Sequence, residues 1–248
     1  AAIPDHVPPH LVGSFNLYSS PGMVPTPLGD PHAATSVLHS GPPIFFAPNN
    51  TRNGEGTWMV ITAELQRKVL QGGVTFSSNR RLFASALGED WPLIPLEIDP
   101  PEHGMWRSLL NPLLSPKRVI ALEPAVRARA SELIEAIKAR GNSCDVMDDF
   151  CYPFAVSIFL QFLGISTDML PTFVSWAMDQ IHGTPEKRIA AARKFIGYLD
   201  DLQEQRRREP TDDFMSFVTQ AEVGGRKMTQ HEVKAMSILI LVAGLDTV

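Results

Sequence analysis

The chain has 248 residues, 44% of them hydrophobic, which is enough to bury a sizeable core in one large domain or two small ones. Its net charge of −5, with the lysines and arginines dispersed, argues against a nucleic-acid-binding surface. The chain starts without the basic and apolar segments of a signal peptide, no apolar run is long enough to span a bilayer, and two cysteines are too few for a disulfide framework. These features predict a cytoplasmic protein that binds neither nucleic acid nor membrane.

The first part of the chain predicts few helices. Residues 1–31 are rich in proline and predict an extended arm over the surface. The β-rich runs 44–47 and 57–61 flank a polar, glycine-containing loop, so we expect a hairpin. Asp30, which is followed by proline, and Thr62 are predicted to cap two helices, the first ending at glycine 41 and the second at glycine 72.

An irregular apolar stretch follows the second helix, over residues 76–98. It contains Leu82, Trp91 and two prolines, a composition that suits the wall of a ligand pocket. A loop that merely packs against the core would have the same composition, so both interpretations stay open.

Residues 99–107 carry the first charged motif. Asp99 is predicted to cap a helix that begins at the next proline, with Glu102 as the third residue of a capping box. His103 and Arg107 are four residues apart and therefore share a helix face, which would suit an anionic ligand. The alternative is a surface arginine that pairs with Glu102 or with solvent.

From Ser115 onward the chain is predicted to be almost wholly helical. The predicted helices begin at Ser115, cover residues 124–139, 154–163, 166–182, 184–208 and 212–221, and resume at Thr229. A tight turn between short extended pieces is expected at 223–228, and Thr229 with Glu232 forms a capping box. The basic run 206–208 is interpreted as a solvated helix end.

The final stretch ends an apolar helix with an unusual group of residues, Ala243-Gly244-Leu245-Asp246-Thr247. A buried carboxylate is costly without a partner, and glycine costs about 1 kcal/mol against alanine inside a helix. Such local penalties indicate a functional site, at which a small ligand approaches the backbone and the acid–alcohol pair relays protons. An ordinary C-terminal helix turn is the alternative.

This terminal motif resembles the oxygen-activation motif of the cytochrome P-450 monooxygenases, which are haem-thiolate enzymes. Residues 99–107 resemble the helix with which that family grips the haem propionates. The proline-rich start, the hairpin and the terminal helix are most similar to the soluble bacterial camphor-hydroxylase branch. The resemblance runs from about His6 to Val248 and implies a mainly α fold with a small β-sheet, cut within the long central oxygen-binding helix, as a single domain over residues 1–248.

The resemblance also implies a cofactor, haem b, and roles for individual residues. His103 and Arg107 would hold its propionates, and Ala243 and Gly244 would line the groove for O₂. Asp246 and Thr247 would deliver protons as the catalytic pair. The family's axial cysteine is expected beyond Val248, because Cys144 and Cys151 lie in the wrong context and resemble core thiols. Since the chain ends inside an apolar helix without a cap, we expect the N-terminal portion of a longer enzyme.

The substrate and the electron donor are likewise implied by the resemblance. Six residues match pocket positions of the camphor-type branch, namely Leu82, Trp91, Leu93, Leu96, Leu239 and Val242. The indole N–H of Trp91 can donate one hydrogen bond, while His182 is either a second polar contact or a surface histidine. A small apolar terpenoid or norisoprenoid is expected as the substrate, hydroxylated with O₂ and with electrons from a ferredoxin-type partner.

Two other functions compete with this interpretation. A haem-less helical module derived from the same fold could bind an apolar ligand in the Trp91 pocket. A haem enzyme that uses peroxide directly is the second alternative, although that branch usually lacks the pair Asp246 and Thr247.

Overall fold

A computed structural model describes residues 2–17, 20, 30–51, 54–141 and 143–246, apart from the side chains at positions 82, 245 and 246. The chain divides into two compact units, Ala1–Phe76 and Ser77–Val248. The predicted fold class is confirmed: the described part is mainly helical and has two small antiparallel sheets.

The first unit contains the predicted hairpin. Strands β1 (Ile44–Ala47) and β2 (Thr57–Val60) pair antiparallel, with Phe46 opposite Trp58. Helices α1 (Pro31–Ser36) and α2 (Ala63–Gln71) lie before and after it. Their predicted caps are confirmed, since the Asp30 carboxylate accepts from two backbone N–H groups and the Thr62 hydroxyl accepts from a third. The predicted surface arm falls partly on residues 18, 19 and 21–29, which lie outside the described part.

The second unit holds most of the helices. They are α3 (Leu82–Ser85), α4 (Glu102–Leu110), α5 (Pro116–Arg140), α6 (Tyr152–Leu163), α7 (Leu170–His182), α8 (Pro185–Arg208), α9 (Phe214–Gln220) and α10 (Gln230–Asp246). A two-residue hairpin, β3 (Glu222–Val223) and β4 (Arg226–Lys227), forms the predicted turn before α10. The capping box of α10 is confirmed, because the Thr229 hydroxyl and the Glu232 carboxylate bond each other's backbone N–H groups.

Helix α10 lies at the centre of the second unit. It contacts α6, α7, α8 and α9, and α6 in turn contacts α5, α7 and α9. Met236, Ile238 and Leu241 of α10 are each at most 1% exposed. The apolar run that ends in the acid–alcohol motif is therefore a core helix.

The structure corrects two predictions about the helices. Residues 116–140 form one continuous helix through Pro124, although a break was expected there. Proline removes one intrahelical hydrogen bond, yet the helix continues past it. The second half of α5 is held to α6 by Arg129, whose Nε donates to Ser157 Oγ at 3.1 Å.

The second correction concerns Arg206. It was predicted to belong to a solvated helix end, but its side chain is only 12% exposed and forms an ion pair of 2.6 Å with Asp213. Its Nη2 also donates to the carbonyl oxygen of Gly164 at 2.7 Å. Arg206 therefore joins the ends of α6 and α8 to the start of α9, whereas Arg208 is 72% exposed, as expected of a helix end.

Candidate functional site

Helix α10 presents two different faces along its second half. At 100° per residue, Leu239, Val242, Ala243 and position 246 lie on one face, at spacings of three, four and seven. In the described part, Leu239 and Val242 are half-buried and Ala243 is exposed. This face, defined by residues 239, 242 and 243, unites two predicted substrate positions with a predicted cofactor position.

Gly244 lies on the opposite face. A Cβ built at this residue would lie 1.9 Å from Cζ of Phe159 and 2.0 Å from its Cε1. Gly244 is buried, so the bare backbone at this point accommodates the Phe159 ring of α6. Ala243 and Gly244, which were expected to share one groove, therefore lie on different faces of α10.

The catalytic pair is described only in part. Asp246 is the last residue of α10, and its backbone continues the helix register. Its side chain lies outside the described part, as does all of Thr247. The proton-delivery roles of both residues stay predictions.

His103 and Arg107 share a face of α4, as their spacing predicts. His103 is half-buried and Arg107 is exposed. Within the described part of the chain, neither side chain has a hydrogen-bonding or ionic partner. The pairing of Arg107 with Glu102, which belonged to the alternative interpretation, is not among the ion pairs of the described residues, whereas Arg107 is exposed to solvent. Two cationic or potentially cationic groups on one helix face are therefore available to an anion that the described residues do not supply.

The predicted cap of this helix is wrong. Helix α4 begins at Glu102, and its N-cap position is Pro101 without a side-chain bond. The Asp99 carboxylate instead accepts from the Ser77 hydroxyl and from the Ser78 backbone N–H, at 2.8 Å in the second case. These bonds, the one from Ser77 first, hold the pKa of Asp99 below its usual value. Asp99 thus ties residues 77 and 78 to the start of α4.

The Trp91 loop packs into the core of the second unit. Trp91 and Leu93 are each 7% exposed and belong to the central apolar cluster, whereas Leu96 is 60% exposed. The side chain of Leu82 is not described. A cavity of 470 Å³ in the first unit is lined by residues such as Leu11, Leu38 and Phe45, none of which was predicted as a site residue.

The indole N–H of Trp91 is already engaged. It donates to the carboxylate of Glu89, and Lys234 Nζ of α10 lies 5.9 Å from the ring centroid. Beside these groups, burial raises the pKa of Asp200 on α8, against the opposing effect of Lys234. A substrate that uses the Trp91 N–H would have to displace Glu89, a contact that sequence reasoning missed.

His182, which was predicted as either a substrate contact or a surface residue, lies at a helix end. His182, the last residue of α7, has its Nε2 3.4 Å from the hydroxyl oxygen of Tyr152.

Among the described residues, no group of three or more histidine, cysteine or acidic side chains could hold a metal ion. Cys144 is exposed and Cys151 is half-buried, so the expectation of two core thiols was wrong for Cys144.

Comparison with known proteins identifies relatives of this chain. No family model matches the chain. The chain is 56% identical to the probable cytochrome P-450 127A1 of Sinorhizobium fredii over 247 residues, which are 99% of this chain and 60% of that protein. It is 25% identical to linalool 8-monooxygenase of Pseudomonas putida, covering 88% of this chain and 57% of the relative.

Solved structures agree with the sequence relatives. The crystal structure of CYP101J2 superposes with a TM-score of 0.80 at 30% identity, covering 100% of this chain and 60% of that one. The chain thus spans about 60% of the length of these relatives. Within the part that the structure describes, no helix is both long enough and apolar enough to cross a membrane.

Proposed function

This chain is a cytochrome P-450 homologue, and we propose that the protein to which it belongs is a haem-dependent monooxygenase. Two features of the described residues support the proposal. One is the face of α10 defined by residues 239, 242 and 243, on which Leu239 and Val242 are half-buried and Ala243 is exposed. The other is the pair His103 and Arg107 on α4, which offers charge-assisted donors for carboxylates.

Haem b fits these residues. Its two propionates are anions, and His103 and Arg107 have no other partner in the described part of the chain. Ala243 is exposed and small, which permits close approach of a flat group to α10. The axial ligand is proposed to be a cysteine outside these 248 residues, because Cys144 and Cys151 lie in the connection between α5 and α6.

The cofactor would supply the activation of O₂, and the chain's own residues would supply position and protons. His103 and Arg107 would orient the ring by its carboxylates, and Ala243 would present a small side chain to it. Gly244, on the opposite face of α10, would let the helix pack closely on α6 behind that site. Asp246 would carry protons inward, and Thr247 would hold a water molecule and donate a hydrogen bond at the oxygen site. The apolar core around α10 would exclude bulk water from the reacting atoms.

For the substrate we propose a small terpenoid or norisoprenoid. Leu82, Trp91, Leu93, Leu96, Leu239 and Val242 are the proposed contacts, and their mostly aliphatic character suits a compact apolar molecule. The relative named linalool 8-monooxygenase supports a substrate of this class. Electrons are proposed to come from a ferredoxin-type partner, on the strength of the resemblance to the camphor-hydroxylase branch.

The cofactor proposal is tested by haem retention in the full-length protein. Arg107→Leu removes one charge-assisted donor, which is worth about 1.5–3 kcal/mol, so haem transfer to apomyoglobin should accelerate by about 10- to 100-fold. His103→Leu should act in the same direction. The matched control is Arg193→Leu, an exposed arginine of α8. If Arg107→Leu and Arg193→Leu release haem at the same rate, the assignment of the propionate-binding pair is wrong.

The substrate proposal is tested by spectral titration of the same protein. Binding of a monoterpenoid or an ionone above the haem should shift its absorption by displacing water. If no compound of these classes produces a shift, the substrate class is wrong even though the haem assignment stands.

A further inference from the structure

The close contact between Gly244 and Phe159 has no counterpart among the other interior helix glycines. The three atoms nearest to a Cβ at Gly244 are all in the Phe159 ring, at 1.9, 2.0 and 2.1 Å. A Cβ added at Gly104 of α4 or at Gly197 of α8 would meet nothing within 4 Å. Gly244 is therefore a position where the absence of a side chain is required by a neighbouring group.

The helix register shows which face this contact serves. Val233, Ser237, Leu241 and Gly244 fall on one side of α10. The first three are each at most 1% exposed, and Gly244 is also buried. Leu239, Val242 and Ala243 lie on the opposite side. The bare backbone of Gly244 thus accommodates α6 on the side away from the proposed cofactor and substrate.

We propose that Phe159 is a positioning residue, whose ring rests on the Cα of Gly244 and sets the depth at which the last described turn of α10 lies against α6. The inference rests on the proposed function for its catalytic consequence, because Ala243 precedes Gly244 in the same turn. The depth of Gly244 on α6 determines how far Ala243 extends on the opposite side. Phe159 touches neither substrate nor cofactor in this proposal and acts through α10.

The ring has firm support behind it. Leu160 and Leu163, its neighbours on α6, are 0% exposed, so the helix that carries Phe159 is anchored in the core. Phe162 lies edge-on to Phe159 at 6.5 Å between ring centroids, and Phe162 packs against Phe214 of α9 at 5.2 Å. A row of three rings therefore backs the contact from α9 through α6 to α10.

The size of the displacement follows from contact distances. Carbon atoms prefer separations of about 3.5–4.0 Å, so a methyl group at Gly244 would have to separate the helix and the ring by about 1.5 Å or more. A misplacement of about 1 Å at a catalytic site can lower a rate by about 100-fold. A methyl group added at Gly244 should therefore displace the residues on the opposite face of α10.

The experiment is a double-mutant cycle in the full-length protein, with Gly244→Ala, Phe159→Leu and the double variant. The first readout is amide hydrogen exchange of residues 240–246, which requires no haem. The second is the fraction of electrons recovered in hydroxylated product. Gly197→Ala is the control for adding a methyl group to a helix glycine. Phe154→Leu is the control for removing a ring from α6, because Phe154 stacks on Phe150 and is not part of the row behind Phe159.

Gly244→Ala should accelerate exchange in the last described turn about tenfold or more, and the added Phe159→Leu should return it to within about threefold of wild type. The fraction of electrons recovered in hydroxylated product should fall in Gly244→Ala and return toward the wild-type value in the double variant. Phe154→Leu should not rescue Gly244→Ala, and Gly197→Ala should leave α10 unchanged. Additive effects in the cycle, or rescue by Phe154→Leu, would overturn the inference.

The two proposals fail in different ways. Phe159→Leu could restore slow hydrogen exchange to Gly244→Ala while the fraction of electrons recovered in product stays the same in all variants. In that case Phe159 packs against α10 without positioning it for catalysis, and the inference is wrong. If the wild-type protein binds no haem, the monooxygenase proposal fails by itself. In that case the exchange cycle alone still decides whether Phe159 sets the depth of α10.

Discussion

Replacement of Arg206 by methionine should destabilise the protein by about 3 kcal/mol, because it leaves a buried carboxylate without its cation. The side chains of Arg206 and Asp213 are 12% and 7% exposed, and Nε lies 2.6 Å from Oδ2. Removing one partner of a buried pair typically costs about 3–5 kcal/mol. The lower end applies here, since Asp213 keeps the Thr211 hydroxyl and the Ser216 backbone N–H as donors. The loss also leaves the Gly164 carbonyl without its Arg206 donor.

The pH dependence of this loss has a defined sign. Burial raises the pKa of Asp213, but the bonds from Thr211, Ser216 and Arg206 outweigh it and hold the pKa below its usual value. Stability from a depressed carboxyl pKa is present above the unfolded-state value of about 3.9 and is lost as the pH falls through the folded-state value. The difference between wild type and Arg206→Met should therefore shrink below about pH 4.

Urea unfolding of the full-length variants measures the effect, with Arg208→Met as the control. Arg208 is 72% exposed and pairs with Glu204, so its loss should cost at most about 1 kcal/mol. Equal losses for the two variants would refute the reasoning, as would a loss below about 1 kcal/mol for Arg206→Met at pH 7.

Two further outcomes are expected. Glu232, whose pKa is lowered to about 2 first of all by hydrogen bonds from Arg226, also caps α10. Glu232→Gln should therefore cost about 1 kcal/mol at pH 7 and progressively less from pH 4.3 down toward pH 2, and a loss that is independent of pH in urea unfolding would contradict this. Thr247→Ala should leave haem content unchanged but divert electrons from product to peroxide, and unchanged coupling would remove Thr247 from the proposed proton relay.

Features that depend on neighbouring residues were predictable from the sequence. Asp30, Thr62 and Thr229 each cap a helix through backbone groups two or three residues away, so the local pattern was sufficient. The hairpin of β1 and β2 was likewise predicted from its strand propensities and its polar loop.

Features that depend on distant residues were missed. Asp99 has the local pattern of a cap, yet its carboxylate bonds Ser77 and Ser78 more than twenty residues earlier in the chain. Arg206 has the local pattern of a solvated helix end, yet its partners Gly164 and Asp213 come together with it only in the folded chain. Propensity and charge at the residue itself cannot report such contacts.

The candidate site divides in the same way. The spacing of His103 and Arg107 predicted their common face, because helix periodicity alone determines it. The glycine in the terminal motif indicated a close approach, but the sequence did not identify Phe159 as its neighbour. The sequence of an apolar helix such as α6 does not show which of its aromatic side chains will contact α10.

The most direct test of the monooxygenase proposal is the absorption spectrum of the full-length protein, reduced and exposed to carbon monoxide. The account predicts a haem-bound protein with the spectrum of thiolate-ligated iron, weakened by Arg107→Leu through loss of haem. A purified full-length protein that binds no haem, or whose spectrum is that of histidine-ligated iron, would contradict the account.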